Sequence, residues 1–155
     1  MKKLRHAVVG LLLVVVGLGG CTATNEAPVI ISEYFALEHL SSKQEVLSKA
    51  KQALLRDGFQ ILSTDLEAGY ISTSLKHWKL TPEQANCGAT RGEDYLEDNH
   101  TKTEVAFNVV VDDKIVIVRS NIQGEYLPGE PAQDLTLHCV SRGVIEVEMV
   151  KKILL

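Results

Sequence analysis

The sequence lacks an excess of basic residues, and this excludes several classes of partner. It contains 16 lysine and arginine residues against 20 acidic residues. Lys2, Lys3 and Arg5 lie in the first 20 residues, which contain no acid, so residues 21–155 hold 13 basic and 20 acidic residues and a net charge of −7. A domain with this net charge lacks the excess of basic residues that is typical of nucleic-acid-binding proteins, and it is not attracted to an anionic lipid surface.

The sequence also lacks the motifs of the common enzyme classes. It contains no G-x-S-x-G nucleophile elbow, no Walker loop and no H-E-x-x-H metal motif. Asp112 and Asp113 are adjacent, but adjacent acids between two strands are typical of a turn rather than of a catalytic pair. We therefore predict that the protein is not an enzyme, and we assign no catalytic residue, metal ligand or cofactor.

The N-terminal apolar run is too short to span a bilayer. It extends over the 12 residues from Ala7 to Leu18, whereas a spanning helix needs ~20. A basic stretch over residues 1–6 precedes it, and Leu18-Gly19-Gly20-Cys21 ends it. This arrangement resembles a bacterial lipoprotein signal peptide, with residues 18–21 as the lipobox. The alternatives are an uncleaved membrane anchor and a buried helix that ends in a cysteine.

The lipoprotein resemblance implies a compartment and an anchor. Residues 1–20 would be removed, and Cys21 would take a thioether-linked diacylglycerol and an acyl chain such as palmitate on its amine. Anchoring by more than one chain is stable, at ~0.8 kcal/mol per buried CH₂. Thr22 rather than an aspartate follows Cys21, which by the same resemblance implies sorting to the outer membrane, facing the periplasm. Residues 21–28 would form a lipidated tether and residues 29–155 one periplasmic domain.

Two cysteines remain once Cys21 is assigned to the lipid. Cys87 and Cys139 are expected to pair, because the periplasm is oxidising. The disulfide would close a loop of about 53 residues, for which chain entropy predicts ~4 kcal/mol. The alternative is a metal site that adds His100 and His138, but no CxxC or HxxxH spacing supports it.

Periodicity and turn residues predict two hairpins. Residues 59–64 and 70–76 read as strands around a turn at 65–69, and residues 103–111 and 115–123 read as strands around a tight turn. On the third of these strands Val105, Phe107, Val109 and Val111 share one face. The remaining segments are long loops at 77–100 and 124–134 and a brief extended stretch at 135–139.

A strand and two helices complete the predicted domain. Residues 29–37 read as a strand, and the capping box Ser42-Lys43-Gln44-Glu45 predicts a helix over 42–57 that ends before Gly58. Ser141 is the expected N-cap of a last helix through Leu154, although a strand is the alternative for this β-branched segment. In that helix we expect these residues to face the sheet: Val144, Val147 and Val150 or Met149. The order β-α-β-β-β-β-α predicts a two-layer α+β domain.

This order resembles the helix-grip (TATA-binding-protein-like) domains of small bacterial outer-membrane lipoproteins. The C component of the outer-membrane β-barrel assembly machinery, BamC, is the best-known protein with such domains. The resemblance lies in the lipobox at Cys21, the capped helix 42–57, the Gly58-Phe59-Gln60-Ile61 junction and the turn at 65–73. This chain would hold one such domain rather than two. The resemblance implies a fold and not an activity.

Two segments offer candidate partner contacts. His77 and Trp78 begin the first long loop, and four acids cluster near the end of that loop: Glu93, Asp94, Glu97 and Asp98. Trp78 is either an exposed contact or part of the core edge, and the acids are a docking loop, a weak cation site or solvated surface.

The expected function is a non-enzymatic interaction or scaffold module with an envelope protein partner. The alternative is a small-ligand carrier that uses the space between helix and sheet. The carrier hypothesis requires that Phe59, Phe107 and Leu54 leave this space open.

Overall fold

The protein is an α+β domain in which two helices lie against an antiparallel sheet. The computed structural model describes residues 25–29 and 35–155. The helices are α1 (Lys43–Arg56) and α2 (Val144–Leu154). The strands of the main sheet are, in chain order, β1 (Phe35–Glu38), β2 (Ile61–Asp65), β3 (Tyr70–Thr73), β4 (Lys76–His77), β5 (Thr101–Val111), β6 (Ile115–Tyr126) and β7 (Leu135–His138). The predicted α+β class is confirmed.

The long hairpin of β5 and β6 forms the centre of the sheet. β1 and β7 pair with opposite ends of β6, and β3 and β4 pair with opposite ends of β5. β2 pairs with β3 and forms one edge. The segment 70–76, predicted as one strand, is divided because residues 74 and 75 leave the ladder. The predicted inward face of β5 is confirmed, since all four residues are fully buried: Val105, Phe107, Val109 and Val111.

Helix α1 has the ends that its sequence predicts. The Ser42 hydroxyl accepts a hydrogen bond from the Glu45 N–H at 3.3 Å, as an N-cap does. At the other end Gly58 has φ +78°, and its N–H donates to the Leu55 carbonyl while the Phe59 N–H donates to the Leu54 carbonyl. This pair of bonds is a Schellman motif, which needs a left-handed residue after the helix. The helix therefore ends at Arg56, and the turn at Gly58 places Phe59 in the core.

Helix α2 begins later than the sequence predicts. Its N-cap is Gly143, with φ 85° and no side-chain cap, so the prediction that Ser141 caps it is wrong. Ser141 instead belongs to a two-residue strand that pairs with Ala85–Asn86, which holds its backbone extended. The later start also rotates the buried face. Val144 is 36% exposed, and the buried residues are Ile145, Glu146, Met149, Val150 and Ile153.

Glu146 is a buried carboxylate at the start of α2. It is 2% exposed and accepts hydrogen bonds from the Ser120 hydroxyl and, at 2.6 Å, from the Ser141 hydroxyl. It lies in the first turn, where the helix dipole favours negative charge. Since a buried charge requires such partners, the Glu146 network joins α2 to β6 and to the short strand at residues 140–141.

The segment 77–100 is more ordered than the predicted loop. It contains the short strands Ala85–Asn86, Ala89–Thr90 and Glu93–Asp94 and the 3₁₀ helix Tyr95–Glu97. Cys87 forms the predicted disulfide with Cys139, at a sequence separation of 52. Five side chains of the 77–100 segment are buried, although their positions follow no helical or strand period: Leu80, Ala85, Cys87, Tyr95 and Leu96.

This segment covers the end of the sheet that the helices leave free. The Tyr95 ring lies 5.2 Å from the Tyr126 ring at the end of β6. The Leu80 N–H donates to the Thr103 hydroxyl near the start of β5 at 3.2 Å. Because Thr103 and Tyr126 point to the same side of the sheet as the helix-facing residues of their strands, the 77–100 segment lies on the same face of the sheet as the helices.

The N-terminal predictions lie largely outside the described residues. Of the strand predicted at 29–37, β1 begins at Phe35, and residues 30–34 are not described. The predicted signal peptide at residues 1–20 and the predicted lipidation site Cys21 also lie outside the described residues. Asn25–Glu26, in the predicted tether, pairs with Ala89–Thr90. No helix in the described ranges is long and apolar enough to cross a membrane.

Candidate interaction surface

The other face of the sheet carries no helix within residues 25–29 and 35–155. Side chains alternate along each strand, so the residues between the buried positions of β5 and β6 point away from α1 and α2. We call this surface the open face. At one end it consists of exposed polar side chains: His77, Lys102, Glu104, Asn121, Gln123, Glu125, Thr136 and His138. Its other end is less polar and includes Val110, Ile115 and Ile117.

A row of four side chains crosses the polar end of the open face. The register places His77 opposite Glu104, Glu104 opposite Gln123, and Gln123 opposite His138. Thus β4, β5, β6 and β7 each contribute one residue to a continuous line. Directly opposite residues on one sheet face have Cβ atoms ~5 Å apart, so the row presents neighbouring hydrogen-bonding groups to solvent.

This row and the next one line a shallow cavity of about 440 Å³, which we call the polar pocket. Lys102, Glu125 and Thr136 form the second row. Carboxylates accept hydrogen bonds, ammonium groups donate them, and imidazole and amide groups do both. The polar pocket therefore offers both kinds of group to a ligand within one surface.

The disulfide lies directly beneath the polar pocket. Gly124 and Leu137 contribute to the pocket wall and face the covered side of the sheet. A Cβ atom built on Gly124 would lie 2.9 Å from the Cys139 Sγ atom and 3.1 Å from the Leu137 Cβ atom. Only glycine leaves room for the cystine at this position, so the disulfide packs against the floor of the candidate site.

The four clustered acids near the end of the 77–100 segment lie at the same end of the hairpin as the polar pocket. Together with His100 and Tyr126 they line a second cavity of about 440 Å³: Glu93, Asp94, Glu97 and Asp98. The Asp94 carboxylate accepts the Leu96 N–H at 2.8 Å and caps the 3₁₀ helix. The Asp98 carboxylate accepts the His100 N–H at 2.8 Å. Asp94 and Asp98 therefore have local structural contacts.

The hydrogen bonds that the Asp98 carboxylate accepts lower its pKa. The backbone N–H of His100, followed by its imidazole, holds the pKa of Asp98 below its ordinary value. Desolvation, followed by the negative charge of Asp98, raises the pKa of Tyr126. Because the Asp98 pKa is lowered in the folded state, its contribution to stability is present above the unfolded pKa and is lost as pH falls through the folded pKa.

Trp78 lies at the core edge rather than on the open face. Its ring is half-buried, 6.0 Å from the Phe59 ring and 6.2 Å from the Phe107 ring. The backbone at the end of β4 thus turns His77 and Trp78 in opposite directions. His77 is exposed at the polar pocket, whereas Trp78 packs in the aromatic cluster.

The described residues do not form a metal centre. Within residues 25–29 and 35–155 no group of three or more His, Cys, Asp or Glu side chains is arranged to hold a metal ion. Cys87 and Cys139 are bonded to each other, so neither is a thiolate. The chemistry available at the polar pocket is hydrogen bonding and charge pairing.

Sequence reasoning identifies His77 but not its neighbours in the row. Glu104 and Gln123 alternate with apolar residues along their strands. This two-residue period indicates that both side chains point away from the core. His138 is considered only as a metal ligand. The row depends on the pairing of four strands, which no local pattern specifies.

Comparisons with known proteins do not assign the chain to a family. No protein family and no curated protein matches its sequence. Among solved structures, a DUF4468 family protein from Bacteroides ovatus is similar at a TM-score of 0.40 and 12% identity, over 71% of this chain. The chain spans 64% of the length of that protein.

Proposed function

We propose that the protein is a non-enzymatic interaction module that binds an envelope protein partner through the polar end of the open face. The observation that carries this proposal is a polar pocket formed by four paired strands and covered by no described element. Protein interfaces of transient complexes are polar and hydrated, with hydrogen bonds distributed over the surface. The polar pocket supplies such groups on a rigid sheet, and the disulfide beneath it supports that rigidity.

The packing between the helices and the sheet favours an interaction module over a small-ligand carrier. Phe59, Phe107 and Leu54 are each at most 2% exposed. The Phe59 and Phe107 rings contact each other edge to face at 5.1 Å between centroids. These side chains occupy the space that a carrier of the helix-grip type would need for its ligand.

We also propose a helix-grip fold and a relationship to BamC-like lipoproteins. The position of α1 between β1 and β2, the antiparallel strands after it and the terminal α2 support this assignment. Both helices lie against one face of the sheet, as in the two-layer arrangement expected from the resemblance. An N-terminal lipid on Cys21 would then hold the domain on the periplasmic side of the outer membrane.

Replacing Cys21 with alanine tests the anchor. Without the thiol no diacylglycerol can be attached, so we expect Cys21→Ala to move the protein from the membrane fraction to the soluble periplasm, because stable anchoring needs the acyl chains. The measurement is cell fractionation followed by immunoblotting. Thr22→Ala is the matched control and should stay in the membrane fraction. Membrane retention of Cys21→Ala would show that the lipid assignment is wrong.

Replacing Gln123 with arginine tests the open face. Gln123 is exposed in the middle of the row between Glu104 and His138, and a longer cation there would block the polar pocket. After in vivo crosslinking and affinity purification of the lipidated protein, we expect the specific partner signal to fall about tenfold, the equivalent of ~1.4 kcal/mol. Gln52→Arg is the matched control because Gln52 is exposed on α1.

Two results would contradict this function. Equal recovery with both arginine variants would place the contact elsewhere. Recovery of abundant lipoproteins alone from wild type would favour a ligand carrier, and extraction of the purified protein for bound small molecules would then be the next measurement.

A further inference from the structure

A second surface, on the opposite side of the sheet from the open face, has a different chemistry. A groove remains between α1 and the edge strand β2. We call it the edge groove. It has a volume of about 360 Å³, its floor is formed by the buried residues Leu47 and Ile71, and its walls are formed by Gln44, Ser48, Lys51, Thr64 and Leu66.

Leu66 lines the edge groove, and two further exposed leucines lie on the strand and the helix that border it. Leu62 is 73% exposed, Leu66 is 69% exposed, and Leu55, on the same side of α1 as Lys51, is 51% exposed. Single exposed apolar residues are common, but several on the two elements that border one groove indicate an interaction site. The edge groove is therefore a docking surface for apolar side chains.

The outer edge of β2 is open to main-chain pairing. β2 pairs with β3 on one side, and no other described strand pairs with it. Residues 61–64 are Ile, Leu, Ser and Thr, so this edge lacks the lysine and proline residues that commonly protect exposed strands. Its pairing with β3 has one irregularity, between Ile61 and Ser63, and is regular beyond it. The N–H and C=O groups beside the groove suit an extended polypeptide.

The charge at the edge groove selects for an acidic ligand. Of the residues that line the edge groove, one is charged, and this is Lys51. Within the described residues Lys51 has no ion-pair partner. The next lysine on the helix, Lys49, pairs with Glu45 at 3.4 Å. A carboxylate placed over the groove would pair with Lys51.

We propose that the edge groove binds an extended, apolar segment of a partner protein that adds as a strand to β2 and places a carboxylate against Lys51. An acyl chain would cover the exposed backbone groups of β2 without bonding them, which is costly. The β2 strand of a second copy carries one carboxylate, Asp65, at its last position, and an oxygen of that carboxylate already accepts the Ala68 N–H within its own turn. A polypeptide from another protein fits all three features.

The test is site-specific photocrosslinking in cells with the full-length protein. A photoreactive amino acid replaces Leu62, which is exposed on the edge strand β2, or, as a control, Leu40, which is fully exposed, is not on β2 and does not line the groove. We expect an adduct from position 62 but not from position 40. Mass spectrometry should map the adduct to one partner segment with alternating apolar residues and an aspartate, a glutamate or a terminal carboxylate.

Charge variants distinguish recognition from adventitious contact. Lys51→Glu should lower the adduct yield about fivefold, the effect of losing an exposed ion pair and adding repulsion. Lys51→Arg should retain the yield. Lys49→Glu is the matched charge reversal outside the groove and should also retain it. Comparable thermal melting of each variant and wild type establishes that all are folded.

Several outcomes would overturn the proposal: an adduct of twice the chain mass, an adduct with lipid alone, no adduct, or equal yields from Lys51→Glu and Lys49→Glu. Gln123→Arg on the open face should leave the adduct at position 62 unchanged. Failure of the edge groove is thus distinguishable from failure of the proposed function, because the two surfaces are probed by different variants.

Discussion

Removing the disulfide will lower the free energy of unfolding by about 4 kcal/mol, which corresponds to a fall in Tm of about 15 °C. The relevant change is Cys87→Ser with Cys139→Ser. The bond closes a loop with a sequence separation of 52, so its loss increases the entropy of the unfolded chain. It also holds the 77–100 segment against the sheet. The measurement is thermal unfolding of the mature domain followed by circular dichroism.

Reduction provides the control for this effect. Dithiothreitol should lower the Tm of wild type to that of the double variant and should leave the double variant unchanged. Limited proteolysis should cut the reduced protein first within residues 77–100, because the buried side chains of this segment depend on the crosslink to remain in place. If the double variant melts within about 2 °C of oxidised wild type, the disulfide does not stabilise the fold as chain entropy predicts.

Phe107→Ala will destabilise the domain by about 4 kcal/mol. Phe107 is fully buried in the middle of β5, where its ring contacts Phe59 at 5.1 Å and Trp78 at 6.2 Å between centroids. Truncation removes apolar contacts and leaves a cavity that the surrounding helices and sheet fill only in part. Urea unfolding measures the change, and Trp78, the single tryptophan, reports it by fluorescence.

Val110→Ala on the same strand is the matched control. Val110 points to the open face and is 37% exposed, so its truncation should cost less than about 1 kcal/mol. Equal destabilisation by the two variants would mean that the aromatic cluster is not the centre of the core. The same experiment tests the position of Trp78, because a tryptophan at the core edge should shift its emission to the red on unfolding.

The two surfaces give the protein a division of roles within our proposals. The polar pocket on the open face offers hydrogen bonds and paired charges, whereas the edge groove offers apolar contacts, an unpaired strand edge and Lys51. They lie on opposite sides of the sheet, so one partner could be held at the open face while a segment of another adds to β2. The partner assays described for each surface test these roles separately.

Local sequence determined the elements whose signals are short-range. The Ser42 cap, Gly58 and the apolar spacing between them specify α1, because the orphan backbone groups at each helix end are satisfied by neighbouring residues. The alternation of apolar and polar residues specifies the register of the β5–β6 hairpin, since a shift by one residue would expose Phe107 and Val109. The pairing of Cys87 with Cys139 was predicted because the lipoprotein resemblance assigns Cys21 to a lipid and so leaves two cysteines.

Tertiary structure alone decided the features that depend on distant partners. Ser141 has the local properties of an N-cap, but its pairing with Ala85 holds it extended and moves the start of α2 to Gly143. The segment 77–100 is ordered because its apolar side chains are buried against the sheet and the disulfide holds it there. Its sequence therefore shows no helical or strand period from which this structure could be predicted. The row from His77 to His138 joins residues from β4, β5, β6 and β7. Neither it nor the edge groove exists until the strands pair and α1 packs, because both are products of register and of which face the helices cover.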